Sequence, residues 1–218
     1  MRNGLPTSNY TMNLDLSLYL VTDANCAGRS LLHTVENALR GGVTFLQYRE
    51  KNVASPTYRT DARRLQQLAR QYAVPFVVND DVDLAMELQA DGIHVGQHDA
   101  AAGAVRRLIG PGKILGVSVS NVEEARQAER DDADYVGVGA FFTTPTKTDA
   151  DRVTLQTLRD ICLAIRLPVV GIGGITPENS RDILACGAKG VAIVSAILQA
   201  PNPEHAARRF PRYGNPIG

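Results

Sequence analysis

Short runs rich in Val, Ile, Leu and Tyr recur at 16–22, 44–49, 75–79, 92–95, 114–119, 134–138, 168–172 and 190–193, and an amphipathic stretch follows each. This alternation constrains the fold more than any other feature. A strand paired in parallel with the next needs a crossover connection, so strict strand–helix alternation predicts a parallel sheet. Eight such units in 218 residues, with no linker or composition break, favour a closed (β/α)8 TIM barrel over an open doubly wound sheet. Helical periodicity is expected over 31–39, 56–72, 82–89, 100–108, 122–130, 153–165, 177–185 and 195–199. Ser120-Asn-Val-Glu123 reads as a capping box, and Thr176-Pro177 places proline just inside a helix start. Gly41-Gly42, Gly110 and Gly187 stand where helices should stop. The expectation is one domain spanning 1–218, with an N-terminal extension over 1–13 and a polar tail over 211–218.

Bulk chemistry removes several function classes. Lys plus Arg and Asp plus Glu both number 23, so the formal net charge is zero. No basic excess draws the chain to nucleic acid or to an anionic membrane. Cys26, Cys162 and Cys186 form no C-x-x-C pair, which argues against a disulfide framework or a zinc site. The first nine residues lack the apolar run of a signal peptide, and no apolar stretch is long enough to span a bilayer. A cytoplasmic enzyme is expected.

In a barrel of this kind, function gathers at the carboxyl ends of the strands, and the unusual residues stand there. The second strand ends Gln47-Tyr-Arg-Glu-Lys51. Period-two alternation puts Gln47, Arg49 and Lys51 on one face; a guanidinium fork and an ammonium converging there suit phosphate. The third strand runs into Asn79-Asp80-Asp81 and the fourth into Gln97-His98-Asp99. Helix capping accounts for Asp81 and one partner. Carboxylates from neighbouring strands, without a His or Cys cluster, suit an oxygen-liking cation such as Mg²⁺. His94 and His98 read as structural. Ser118 falls on the barrel face of the fifth strand, two residues before the capping Ser120. The loop after the sixth strand, Thr143 to Asp149, sets hydroxyls beside Lys147 and is the candidate lid. The seventh strand ends Gly171-Ile-Gly-Gly-Ile175 and the eighth Ile193-Val194-Ser195. Loops after these two strands commonly bind phosphate through backbone N–H groups. Two anion sites follow: a backbone site suiting a phosphomonoester, and a cationic, metal-assisted site suiting a pyrophosphate.

The ordered motifs Gln47-Tyr-Arg-Glu-Lys51, Val78-Asn-Asp-Asp81, Gly92-Ile-His-Val-Gly-Gln-His-Asp99, Gly116-Val-Ser118, Thr144-Pro-Thr-Lys147 and Gly171-Ile-Gly-Gly-Ile175 resemble those of the thiamine-phosphate synthase family. The resemblance extends from Leu18 to Ile197. It implies a transferase of thiamine biosynthesis that joins 4-amino-2-methyl-5-hydroxymethylpyrimidine pyrophosphate to hydroxyethylthiazole phosphate, or its carboxylated form. The products would be thiamine phosphate and pyrophosphate. By that resemblance Gln47, Arg49, Lys51, Asn79, Ser118 and Lys147 contact the pyrimidine pyrophosphate, with Arg49, Lys51, Lys147 and Ser118 as the catalytic set. Asp80 and Asp99 hold Mg²⁺. Thr144, Pro145, Thr146, Gly174, Val194 and Ser195 hold the thiazole phosphate. The implied partners are these small molecules, with neither nucleic acid nor membrane; family members are often homo-oligomers, and no interface is legible in the chain. Ala140 and Thr143 stand where the family often has proline, and Tyr48 where it has Leu or Phe. Tyr48 should point away from Gln47 and Arg49.

The alternatives are a thiazole tautomerase on the same barrel and a non-catalytic sensor of thiamine precursors. The tautomerase would keep the phosphate site after the last strands but lack the full metal and pyrophosphate set carried here by Arg49, Lys51, Asn79, Asp80, Asp99 and Lys147. No appended DNA-binding element speaks for the sensor. A third reading, another phosphate-binding barrel enzyme by analogy of fold alone, explains less of the motif set.

Overall fold

The computed structural model describes residues 14–23, 30–52, 54–142 and 153–211. Eight parallel strands close into a barrel in sequence order: β1 (Leu18–Val21), β2 (Phe45–Tyr48), β3 (Phe76–Asn79), β4 (Gly92–Val95), β5 (Ile114–Val119), β6 (Tyr135–Val138), β7 (Val169–Ile172) and β8 (Gly190–Ile193). β1 pairs with β8 through Tyr19 and Ala192, which closes the ring. Helices α1 (Leu31–Arg40), α2 (Tyr58–Gln71), α3 (Val82–Glu87), α4 (Ala102–Ile109), α5 (Val122–Arg130), α6 (Leu155–Ala164), α7 (Ser180–Ala185) and α8 (Ser195–Leu198) follow the strands in turn. A last helix, α9 (Pro203–Arg208), packs on α1; a methyl group on Gly41 would sit 2.7 Å from Ala207 Cβ. The expected extension over 1–13 and residues 212–218 of the polar tail lie outside the described residues.

The period-two pattern divides the apolar residues into two cores. Leu18, Leu20, Leu46, Tyr48, Val78, Ile93 and Val136 face outward and meet the helices in the larger cluster. Tyr19, Val21, Phe45, Val77, Ile114, Tyr135, Val170 and Ala192 fill the barrel interior. A slip of one residue would exchange the two sets, so their separate burial fixes the register. Tyr48 points outward as expected, and its hydroxyl donates to the Tyr58 carbonyl at 2.9 Å.

α2, α4 and α6 each begin two residues later than expected, and at α5 and α7 the hydrogen bonds at the helix start differ from the sequence expectation. α5 is capped by Asn121, whose side chain accepts from Glu124 N, while Ser120 N and Oγ both donate to the Glu124 carboxylate. The capping box is thus shifted by one residue, because Asn121 offers an equally good acceptor nearer the helix. After β7, the helix begins at Ser180, not at Pro177. Asn179 accepts from Thr176 N at 2.8 Å and donates to the Gly174 carbonyl at 3.1 Å, which holds the intervening residues in a turn.

Candidate active site

Tight glycine-to-side-chain packing opens the barrel interior to chemistry. On β5, a methyl group at Gly116 would lie 2.4 Å from the Tyr135 hydroxyl and 2.5 Å from His94 Nδ1. The absent side chain lets two bulky polar groups from neighbouring strands meet in the barrel. His94 Nδ1 and Tyr135 Oη are 2.9 Å apart, Tyr135 Oη and Tyr19 Oη 2.7 Å, and Gln47 Nε2 donates to Tyr19 Oη at 2.6 Å. On the other side His94 Nε2 is 2.9 Å from Ser118 Oγ. Burial pushes the His94 pKa down to about 4, so the ring is neutral at pH 7. Burial likewise raises both tyrosines, which stay protonated.

Above this layer lies a cavity of about 1130 Å³ at the carboxyl ends of the strands. Gln47, Arg49, Lys51, Asn79 and Ser118 line it, and so do Gly174, Val194 and Ser195 from the opposite side. The expected face of Gln47, Arg49 and Lys51 is therefore one wall of one cavity. The wall is graded: Gln47 is buried, Arg49, Asn79 and Ser118 half-buried, and Lys51 exposed. Neutral polar groups occupy the floor and charges the mouth. Thr144, Pro145, Thr146 and Lys147 lie outside the described residues.

Asp80 and Asp99 flank the cavity beside the lining residues Asn79 and His98. Asp80 takes a left-handed conformation, φ 62°, with its N–H donating to the His94 carbonyl at 2.8 Å. Its carboxylate accepts from Asn79 Nδ2, and Asp99 accepts from Gly96 N at 2.9 Å. Partial burial, then the hydrogen bond and like charge of Asp99, raise the Asp80 carboxyl to about 6. Asp81 is spent on structure: it caps α3 through Leu84 N at 2.8 Å and accepts from Tyr58 Oη at 3.1 Å.

The opposite pole is made of backbone. Gly173 and Gly174 have φ of 104° and 68°. A methyl group on Gly174 would lie 2.6 Å from Phe142 Cβ, and one on Gly173 2.5 Å from Ala140 Cβ. Conformation and space both demand glycine at these positions.

A family model described as thiamine monophosphate synthase matches residues 18–197. The chain belongs to the thiamine monophosphate synthase family. A thiamine-phosphate synthase of Methanobrevibacter smithii is 45% identical over 198 residues, covering 91% of this chain and 95% of that one. One of Roseiflexus castenholzii is 50% identical over 193 residues, covering 88% and 85%. Among solved structures, a thiamine phosphate pyrophosphorylase from Pyrococcus furiosus superposes with a TM-score of 0.81 at 36% identity, covering 89% and 93%. In this synthase-family barrel the cavity wall joins the motif residues of β2, β3 and β5 to those after β7 and β8.

Tyr19 and Tyr135 are not among the residues expected from the sequence, and His94 reads there as structural; the three form the floor. A signal was present. Each sits on the inward phase of a short strand, and a polar side chain there faces either a ligand or another buried polar group. No helix among the described residues is long and apolar enough to cross a membrane.

Proposed function

We propose that this barrel is a thiamine-phosphate synthase that joins 4-amino-2-methyl-5-hydroxymethylpyrimidine pyrophosphate to hydroxyethylthiazole phosphate, or to its carboxylated form with loss of carbon dioxide, in the cytoplasm. The observation that carries the reading is the meeting of a cationic wall, Arg49 and Lys51, and a glycine-rich wall, Gly173 and Gly174, in one cavity. Arg49 and Lys51 bring full charges and suit a pyrophosphate. The region of Gly174, Val194 and Ser195 offers backbone and suits a phosphomonoester, since first-turn N–H groups of a helix have no partner within the helix. The neutral floor of Gln47, Tyr19, His94 and Ser118 suits an uncharged heteroaromatic ring.

Asp80 and Asp99 fit a divalent cation. Two carboxylates held close enough to raise one pKa to about 6 are stabilised when a dication enters between them, and Mg²⁺ takes the rest of its shell from water and phosphate. When bound there, Mg²⁺ would neutralise charge on the leaving pyrophosphate.

The chain's own residues do the rest. Arg49 and Lys51, with Lys147, bind the pyrophosphate and stabilise the charge that builds on it as its carbon–oxygen bond breaks. The pyrophosphate leaves with the electron pair, and the electron-rich pyrimidine carries the positive charge on its exocyclic methylene. Gln47, Asn79 and Ser118 orient the pyrimidine. The backbone near Gly174, Val194 and Ser195, with Thr144, Pro145 and Thr146, orients the thiazole so that its nitrogen lone pair forms the new carbon–nitrogen bond. No protein nucleophile is required; catalysis is positioning plus electrostatics.

The test is product formation from the two substrates with Mg²⁺ and with chelator. Thiamine phosphate formed only with metal is the expected result. Folded protein that binds thiazole phosphate yet makes no product would overturn the assignment.

A further inference from the structure

The polar floor of the cavity is a chain, and the direction of its hydrogen bonds has a chemical consequence. Five groups from five strands stand in series: Gln47 Nε2, Tyr19 Oη, Tyr135 Oη, His94 and Ser118 Oγ, separated by 2.6, 2.7, 2.9 and 2.9 Å. Each hydroxyl has one hydrogen to give, and the neutral imidazole carries one N–H. We propose that these residues form a one-way relay that fixes the Ser118 hydroxyl as a hydrogen-bond donor to the pyrimidine substrate, with Tyr19, Tyr135 and His94 as positioning residues. The ligand named in this inference rests on the function proposed above.

The direction follows the orientation of the Gln47 amide. It donates to Tyr19, so the Tyr19 hydrogen goes to Tyr135 and the Tyr135 hydrogen to His94 Nδ1. The imidazole hydrogen is then on Nε2 and is given to Ser118. Among the described residues His94 is the only side-chain partner of Ser118 Oγ, which leaves the serine hydrogen for the cavity that Ser118 lines. Running the chain backward requires every member to turn, beginning with the Gln47 amide. The serine hydrogen would then be consumed on His94 Nε2, and only lone pairs would face the ligand. A break in the middle leaves two buried groups facing each other without a shared hydrogen, or with two, and a buried bond unmade is costly. Tyr19 and Tyr135 are each at most 2% exposed and His94 7%, which leaves such a break little access to water. Gly116 keeps the middle link closed, because a methyl group there would intrude on both Tyr135 and His94. A site ordered in this way accepts a ring that turns an acceptor, such as an unprotonated ring nitrogen, toward Ser118, and disfavours one that turns an N–H.

The chain has four histidines, so the direction is readable in protein labelled with ¹⁵N-histidine, His94 being assigned by the signal missing from His94→Gln. A long-range ¹H–¹⁵N spectrum of the substrate-free protein should show His94 protonated on Nε2 and bare on Nδ1. The reverse tautomer, or a mixture, overturns the relay whatever the enzyme's substrates are. Kinetics then test its use. His94→Leu removes the donor to Ser118 and should raise KM for the pyrimidine pyrophosphate about tenfold, the scale of one hydrogen bond, while KM for thiazole phosphate holds. His94→Gln keeps an N–H near the Nε2 position and should restore most of the loss. Equal losses in the two variants, or a matched rise in both KM values, overturn the positioning role. Absence of product from the unmodified enzyme would instead sink the function proposal, and the tautomer would still decide the direction.

Discussion

The two poles of the cavity are built from different chemistry, and on the proposed function they would handle negative charge by different means. At β2 to β4 the work falls to side chains: Arg49 and Lys51 carry full charges, and Asp80 and Asp99 stand close enough for one carboxyl to rise to about 6. After β7 and β8 the lining carries no charged side chain at Gly173, Gly174, Val194 and Ser195, and the two glycines have φ of 104° and 68°. The difference teaches how each pole should respond to change. Full charges stabilise charge that grows during reaction, so they belong where a bond to pyrophosphate breaks. On the same proposal, neutral N–H groups would hold a phosphate whose charge does not change, and so contribute to ground state and transition state alike.

The largest expected effect lies at the charged pole. Lys51→Ala or Arg49→Ala should lower turnover by about 10²–10³, or about 2.7–4 kcal/mol, the scale of removing one preorganised donor. KM for thiazole phosphate should hold; steady-state kinetics with each substrate varied separately decides it, and unchanged turnover would erase the distinction between the poles. Gly174→Ala should act in the opposite sense, raising KM for thiazole phosphate with little change in turnover at saturation. The methyl group meets Phe142 Cβ at 2.6 Å in a left-handed conformation, so a stability loss of about 1–3 kcal/mol is expected as well, read from thermal unfolding.

The smallest effect sharpens the comparison through pH. The Asp80 carboxyl rises from 3.8 to about 6 on folding, so the folded protein binds a proton that the unfolded chain has released. The resulting stability is fully present below about pH 3.8 and lost as pH rises through about 6. Metal-free protein should therefore lose a little Tm between pH 4 and 7 from this group. The Asp80 carboxyl is only partly buried and is screened by water, so less than about 1 kcal/mol is expected. Asp80→Asn, or added Mg²⁺, should flatten that part of the profile, and a profile unchanged in both would count against Asp80 as a cation ligand.

Much of the architecture was legible in the chain. β4, β5 and β8 fall on the expected residues, and the other strands differ by one or two residues at their ends. Parallel barrel strands are short apolar runs separated by helices, and both periods are written locally. Structure and expectation part where a side chain competes for the backbone. Asn121 displaced Ser120 as the cap of α5, and Asn179 delayed the start of α7 by accepting from Thr176 N on its side-chain Oδ1. Such choices turn on hydrogen bonds between residues that sequence patterns score almost equally. The site divides in the same way. Gln47, Arg49 and Lys51 were readable as one face, since alternation along a strand is a local property. His94 read as structural because nothing in its neighbourhood announces Tyr135, 41 positions later, or Ser118, 24 positions later.

By itself, the sequence determined the eightfold alternation, the inward and outward faces of each strand, the glycines where the backbone must approach closely, and the charged residues at the strand ends. All of these depend on spacing along the chain. Only the tertiary structure decided that residues from β2, β3, β5, β7 and β8 share one cavity, and that five polar side chains from five strands form one chain of hydrogen bonds. Closing the barrel sets which strands are neighbours and at what register. A hydrogen bond depends on separations of a few tenths of an ångström, which spacing along the sequence does not encode.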